Sequence, residues 1–222
     1  MFEANDAQAL LVKAIVIVIM LGVAFPIHEF AHALMAYRLG DSTARFMRRL
    51  SLDPRVHFDP VGGLLLVISV LAGGFVFGWA KPTPYNPYNL RGGRWGEAMV
   101  SVAGPISNFV LAAAGAIPLR YIVATGMDVP LIANVLDFFV YINLLLMVFN
   151  LIPIPPLDGS KVLYAFLDPQ TERQVRPFLD QYGMLILLAL ILLPTLGGPS
   201  LIGGVFGAVI NPIYHLLTGL SL

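Results

Sequence analysis

Apolar residues along this chain come in long runs rather than in alternation. The first is almost wholly apolar from Leu10 to Pro26 and carries on to Leu39 before Gly40 breaks it. A helix over about Ala7–Leu39 would rise 1.5 Å per residue, enough to cross a bilayer with a tilt. Further apolar runs cover Gly62–Ala80, Ala98–Ile122, Leu131–Ile152, Tyr182–Leu196 and Leu201–Leu220. Polar connections separate them: a basic stretch over Asp41–Pro60, a Pro-, Asn- and Tyr-rich one over Lys81–Glu97, and a mixed-charge one over Ser160–Gln181. The pattern predicts an all-α membrane protein, a polytopic helix bundle of about five crossings. It forms one membrane-embedded domain over residues 1–222, with a core over about 8–160 and C-terminal helices over about 181–220. Two stretches fit less simply. Gly62–Ala80 either spans once or bends at Gly73-Gly74 and re-enters on the side it left. Arg45–Leu52 and Arg55–Phe58, around Asp53-Pro54, predict short strands, a β-hairpin near 45–58.

Composition strengthens the membrane reading. Hydrophobic residues make up 58% and charged residues 12%, with a mean hydropathy of +0.81; a soluble domain carries about a quarter charged residues. The 13 basic and 13 acidic residues cancel, so no nucleic-acid partner is expected. There is no cysteine, so disulfides and thiolate metal sites are excluded, and any metal must use His and carboxylate ligands.

The chemistry concentrates in His28-Glu29-Phe30-Ala31-His32, inside the first apolar run. On a helix, positions i and i+4 lie one turn apart on one face, so both imidazoles can grip one metal ion, with a carboxylate beside them as a general base. An acid and two histidines at membrane depth are costly unless they bind something. Catalytic zinc takes three protein ligands and leaves one position open. Asp158 is the favoured third ligand: it follows an apolar helix broken by Pro153, Pro155 and Pro156, and Gly159 lets the chain turn there. Asp137 is the weaker alternative. His57, outside an apolar helix, reads as a surface residue, and His215, with no acidic neighbour, as a packing residue.

The topology must bring His28 and Asp158 to one depth, which requires Gly62–Ala80 to re-enter. Charge agrees. Re-entry gathers Arg38, Arg45, Arg48, Arg49, Arg55, Lys81, Arg91, Arg94, Lys161, Arg173 and Arg176 on one face and leaves Arg120 and Lys13 to the other. By the positive-inside rule that face is cytoplasmic, with the site nearer to it in a multi-pass cell-membrane protein.

His28-Glu29-x-x-His32, Ala103-Gly104-Pro105-x-x-Asn108 and Asn150-x-x-Pro153-x-Pro155-x-Leu157-Asp158-Gly159 resemble the site-2 protease family of intramembrane zinc metalloproteases. The resemblance covers about Ile15–Ser160. It implies one Zn2+ held by His28, His32 and Asp158, with Glu29 as catalytic base. It also implies Asn150 near the metal as an oxyanion donor, Asn108 as a structural or substrate-contacting residue, and a transmembrane protein substrate met within the lipid bilayer. Two departures stand out. The Gly62–Ala80 segment is longer and more apolar than in the smallest members, and no PDZ or nucleotide-sensing domain is attached. An unwound substrate segment would need a strand edge, for which 45–58 is the candidate. The rival classes are a metal-ion transporter using the same ligands and an inactive protease-like scaffold. Against the transporter, no inverted repeat is visible and transport has no need of Glu29 as a base; against the scaffold, every motif residue is intact.

Overall fold

The computed structural model describes residues 6–72, 78–193 and 201–221, and among them every regular element is helical. The first run is one continuous rod: α1 (Asp6–Ile19), a π-helical turn (Met20–Ala24) and α2 (Phe25–Arg38). The π turn has a local cause. Pro26 has no N–H, and its ring would clash with the carbonyl four residues back. Widening the preceding turn, so that the Phe25 N–H reaches the Met20 carbonyl, relieves this one residue before the proline. At its far end α2 stops on Gly40, whose φ of +108° lets the Asp41 N–H return to the Ala36 carbonyl at 2.9 Å.

The expected hairpin is not formed. Residues 45–58 hold two single helical turns instead, α3 (Thr43–Phe46) and α4 (Pro54–His57). The reason lies in the residues before each turn. The Asp41 carboxylate accepts from the Thr43 hydroxyl at 2.7 Å, and the Asp53 carboxylate accepts from the Arg55 N–H at 3.0 Å with Pro54 in the first helical position. Such side-chain contacts offer the backbone a turn in place of a strand ladder. The region is also partly interior: His57, expected at the surface, is buried and gives Nε2–H to the Ser51 carbonyl at 2.7 Å.

Helix α5 (Pro60–Ala72) is apolar but only 13 residues long, about 20 Å. The bend expected at Gly73-Gly74 lies outside the described residues. Beyond it the chain runs back along α5: a Cβ on Gly78 would lie 2.6 Å from that of Leu66, and the Lys81 N–H reaches the His57 carbonyl at 2.8 Å. An extended segment follows, leading to α6 (Arg94–Thr125), α7 (Pro130–Asn150), α8 (Gly159–Phe166), α9 (Pro169–Leu192) and α10 (Leu201–Thr218).

Among the described residues, four helices are long and apolar enough to cross a membrane: Ala9–Arg38, Arg94–Thr125, Pro130–Asn150 and Pro169–Leu192. The fifth expected crossing, over α10, is helical but is not among these four. Helix α6 is the hub, packed on α7, α2 and α8. Small residues allow the close approach: a Cβ on Gly115 would meet the Phe139 ring of α7 at 2.8 Å. The main core gathers Val16, Met20, Leu66, Leu119, Ile142 and Leu144 from four of the helices.

Candidate metal centre

Two segments distant in sequence meet at the site. Helix α2 presents His28 and His32 on one face, one turn apart, and the break after α7 presents Asp158. Their Nε2 atoms are 3.0 Å apart, and Asp158 Oδ2 is 3.4 Å from each. The prolines open the backbone as expected, and Gly159 lets the chain fold back on itself: a Cβ there would lie against the Leu151 and Ile152 carbonyls. Both histidines are buried, and Asp158 is partly so.

The outer nitrogens fix the orientation of both rings. His32 Nδ1–H donates to the Val100 carbonyl at 2.7 Å and His28 Nδ1–H to Asn108 Oδ1 at 2.6 Å. Asn108 cannot be turned the other way. Its Nδ2 donates to Asn143 Oδ1 at 3.1 Å, and Asn143 Nδ2 donates to the Phe139 carbonyl at 2.9 Å. That last group only accepts, so it sets the direction of the whole chain. With both Nδ1 atoms protonated, both Nε2 lone pairs face Asp158 and each other at 3.0 Å. Three acceptors converging on one point repel unless a proton or a metal ion lies between them. Tetrahedral zinc with bonds of about 2.0–2.1 Å sets its ligands about 3.3 Å apart, close to the spacing here, so the donor set fits the metal.

Gly104 lets α6 close over this group, since a Cβ there would run into both imidazoles, 2.6 Å from His28 Cε1. A cavity of about 430 Å³ opens beside the three residues, lined by Glu29, Thr83 and Asn150 and by apolar Phe25, Trp79 and Leu146. Asn150 turns one N–H back to the Leu146 carbonyl at 2.9 Å. Asp137, the weaker candidate ligand, is elsewhere: it accepts from the Tyr214 hydroxyl between α7 and α10. His215 likewise lies on α10, its Nδ1 bonded to the Leu220 carbonyl at 3.1 Å.

Sequence reasoning missed Val100, Asn143 and Thr83. The first contributes a backbone carbonyl, which no residue type announces. The polar Asn143 within an apolar run was the one visible signal.

Comparison with known proteins agrees. The chain is 38% identical over 183 residues to the "Putative zinc metalloprotease YwhC" of Bacillus subtilis (strain 168), covering 80% of each. The profile of peptidase family M50 matches residues 118–194, from the second half of α6 past Asp158 to the end of α9.

The chain belongs to peptidase family M50.

This is the family of the site-2 proteases, and its members depend on zinc. Other members at similar distance carry the name "Putative zinc metalloprotease Rip2". The one from Mycobacterium tuberculosis (strain ATCC 25618 / H37Rv) is 34% identical over 78% of this chain and 64% of its own length. The one from Mycolicibacterium smegmatis (strain ATCC 700084 / mc(2)155) is 32% identical over 77% and 64%. The chain thus spans less than two thirds of the Rip2 proteins. No solved structure matches it.

Proposed function

We propose that this M50 protein is an intramembrane protease that hydrolyses a peptide bond within or beside a transmembrane helix of another protein, with His28, His32 and Asp158 as zinc ligands and Glu29 as the general base. One observation carries the ligand assignment: two Nε2 lone pairs and a carboxylate oxygen, all within 4.8 Å of one another, face a single point with their outer atoms tied down. When bound, zinc supplies a Lewis acid that polarises the scissile carbonyl and acidifies water. Glu29, in the same cavity, takes the proton of the attacking water and passes it to the leaving amine. Asn150 spends one amide proton on its own helix. The other is our candidate donor to the developing oxyanion, an interaction of roughly 3 kcal/mol.

A helical substrate hides its scissile carbonyl in its own hydrogen bonds and must unwind first. With no strand in residues 45–58, the extended backbone that lines the cavity, Gly78–Tyr85, takes over as the candidate edge for the unwound segment. The α5 segment enters and leaves on one side in this reading. A spanning segment would part residues 57 and 81 by about the 30 Å of the hydrocarbon layer, whereas their backbones are hydrogen-bonded. The cleft then opens to the cytoplasmic face, where the basic loops gather.

The test uses purified protein, its zinc content, and a model transmembrane substrate. Wild type should cleave, and Glu29→Gln should retain zinc and lose cleavage by at least about a hundredfold. Metal-dependent ion flux without proteolysis would replace this reading with the transporter.

A further inference from the structure

The segment between α5 and α6 bonds to Glu29 itself. The Thr83 N–H donates to Glu29 Oε2 at 2.7 Å, and the Thr83 hydroxyl donates to the Glu29 carbonyl at 3.0 Å. Thr83 stands between Pro82 and Pro84. Neither proline has an N–H, and Pro84 keeps Thr83 in extended backbone. The Thr83 N–H is therefore the lone backbone donor of this three-residue stretch, and it goes to the carboxylate.

Something must hold so donor-poor a segment against α2. Arg49, buried between the loop and the segment, does so. Its guanidinium donates to the carbonyls of Lys81 and Pro82, the latter at 3.1 Å, and to that of Val56 across the loop. The His57 carbonyl takes the Lys81 N–H at 2.8 Å. Burying a guanidinium is costly unless its donors are used. Here Nη1 is spent on the Val56 carbonyl and Nη2 on the two carbonyls immediately before Thr83, while Nε has no partner.

We propose that Thr83 is the positioning residue for the general base, and that Arg49 holds Thr83 in place. A carboxylate on a flexible stem can swing among rotamers. Pinning Oε2 with a backbone N–H fixes the plane of the carboxylate and assigns Oε1 to the proton of the attacking water. The anchor is doubled at the Glu29 carbonyl, so the segment follows the helix that carries the base. Arg49 acts through the backbone of residues 81 and 82, and its charge also lies near enough to Glu29 to favour the carboxylate.

The proposal rests on Glu29 being the base, and the test keeps the two apart. With a model transmembrane substrate, Arg49→Ala should lower kcat by about a hundredfold, the loss expected for a misplacement of about 1 Å. KM should stay within about twofold, and zinc per chain should be unchanged. Arg49→Lys, which can still reach one carbonyl, should recover part of kcat. Thr83→Pro deletes the N–H while keeping the extended backbone, and should match Arg49→Ala without touching Arg49. The second readout needs no catalysis. In metal-free protein, the Thr83 amide is the single exchangeable amide between residues 81 and 85, and its hydrogen exchange should accelerate at least tenfold in Glu29→Ala and in Arg49→Ala.

An unchanged kcat in Arg49→Ala and Thr83→Pro overturns the proposal. So does a raised kcat, which would make the segment a plug, or a raised KM at constant kcat, which would make it only a substrate edge. Exchange at Thr83 that ignores Glu29→Ala overturns it as well. If wild type cleaves and Glu29→Gln cleaves equally well, the assignment of the base falls first and this proposal falls with it.

Discussion

His28 and His32 could rotate freely on α2, and two free imidazoles make a poor metal site. Their precision comes from neighbours that touch no metal. The Phe139 carbonyl orients Asn143, Asn143 orients Asn108, and Asn108 takes the Nδ1 proton of His28. Losing such an outer partner costs roughly 10–100-fold in metal affinity. Asn108→Ala should therefore weaken zinc binding by that factor in a competition titration against a chelator, with the helical circular dichroism signal kept. Asn108→Asp keeps an acceptor for His28 and should lose less. Equal losses in both would mean that Asn108 packs rather than orients. Gly104 makes a steric counterpart. A methyl group there meets both imidazoles, so Gly104→Ala should displace the rings and lose zinc even though alanine is the better helix former.

Among the elements, the loop after α2 depends on one carboxylate. Asp41 is fully buried and accepts from the Thr43 N–H and hydroxyl, the Asn86 N–H at 3.0 Å and Asn89 Nδ2 at 2.9 Å. It thereby joins the end of α2 to the turn that leads into α6. Burial alone would push this carboxyl up, but the hydrogen bonds from Asn89, Thr43 and Asn86 outweigh it and hold it below the ordinary value of 3.8. A depressed folded-state pKa means that the stabilisation is complete above that ordinary value and is lost as pH falls through the folded one. Asp41→Asn should cost about 1.5–3 kcal/mol at pH 7, read as a lower thermal midpoint in detergent. The gap from wild type should narrow as pH drops below about 4. A gap that stays constant with pH would remove the charge from this explanation. The same carboxylate bears on what the sequence could tell. His28, His32 and Asp158 stand out by spacing and by the proline break, because a motif on one helix and a turn at the end of another are local signals. The strands expected over 45–52 and 55–58 give way to the turns over 43–46 and 54–57 because the aspartate contacts that set those turns are specific rather than periodic. Arg49 and Thr83 stayed hidden because Arg49 bonds to backbone carbonyls of residues 81 and 82, and Thr83 reaches Glu29 through its own backbone N–H, each more than 30 residues away in the chain.

At the scale of the molecule, zinc would join α2 to the break between α7 and α8, so metal and stability are linked. Ligands that bind only the folded state add RT ln(1 + [L]/Kd), about 2.7 kcal/mol at a hundredfold excess over Kd. Chelation should therefore abolish cleavage and lower the thermal midpoint together, and zinc should restore both. Asp158→Ala should show the lowered midpoint without chelator and little further response to it. The membrane arrangement can be tested as directly, because the chain has no cysteine and any introduced thiol is unique. Leu52 and Tyr88 lie on either side of the α5 segment and are 55% and 97% exposed, and Met127 lies in the turn between α6 and α7 at 49%. In the proposed re-entrant arrangement, which rests on the backbone contact of residues 57 and 81, Leu52→Cys and Tyr88→Cys should share a face. Helix α6 then carries Met127→Cys to the other face. A membrane-impermeant maleimide should label Met127→Cys in intact cells and the other two only after permeabilisation. Labelling of Leu52→Cys and Tyr88→Cys from opposite sides would make α5 a crossing. That would carry the Pro-rich break to the face away from the end of α2, and separate Asp158 from the histidines it faces.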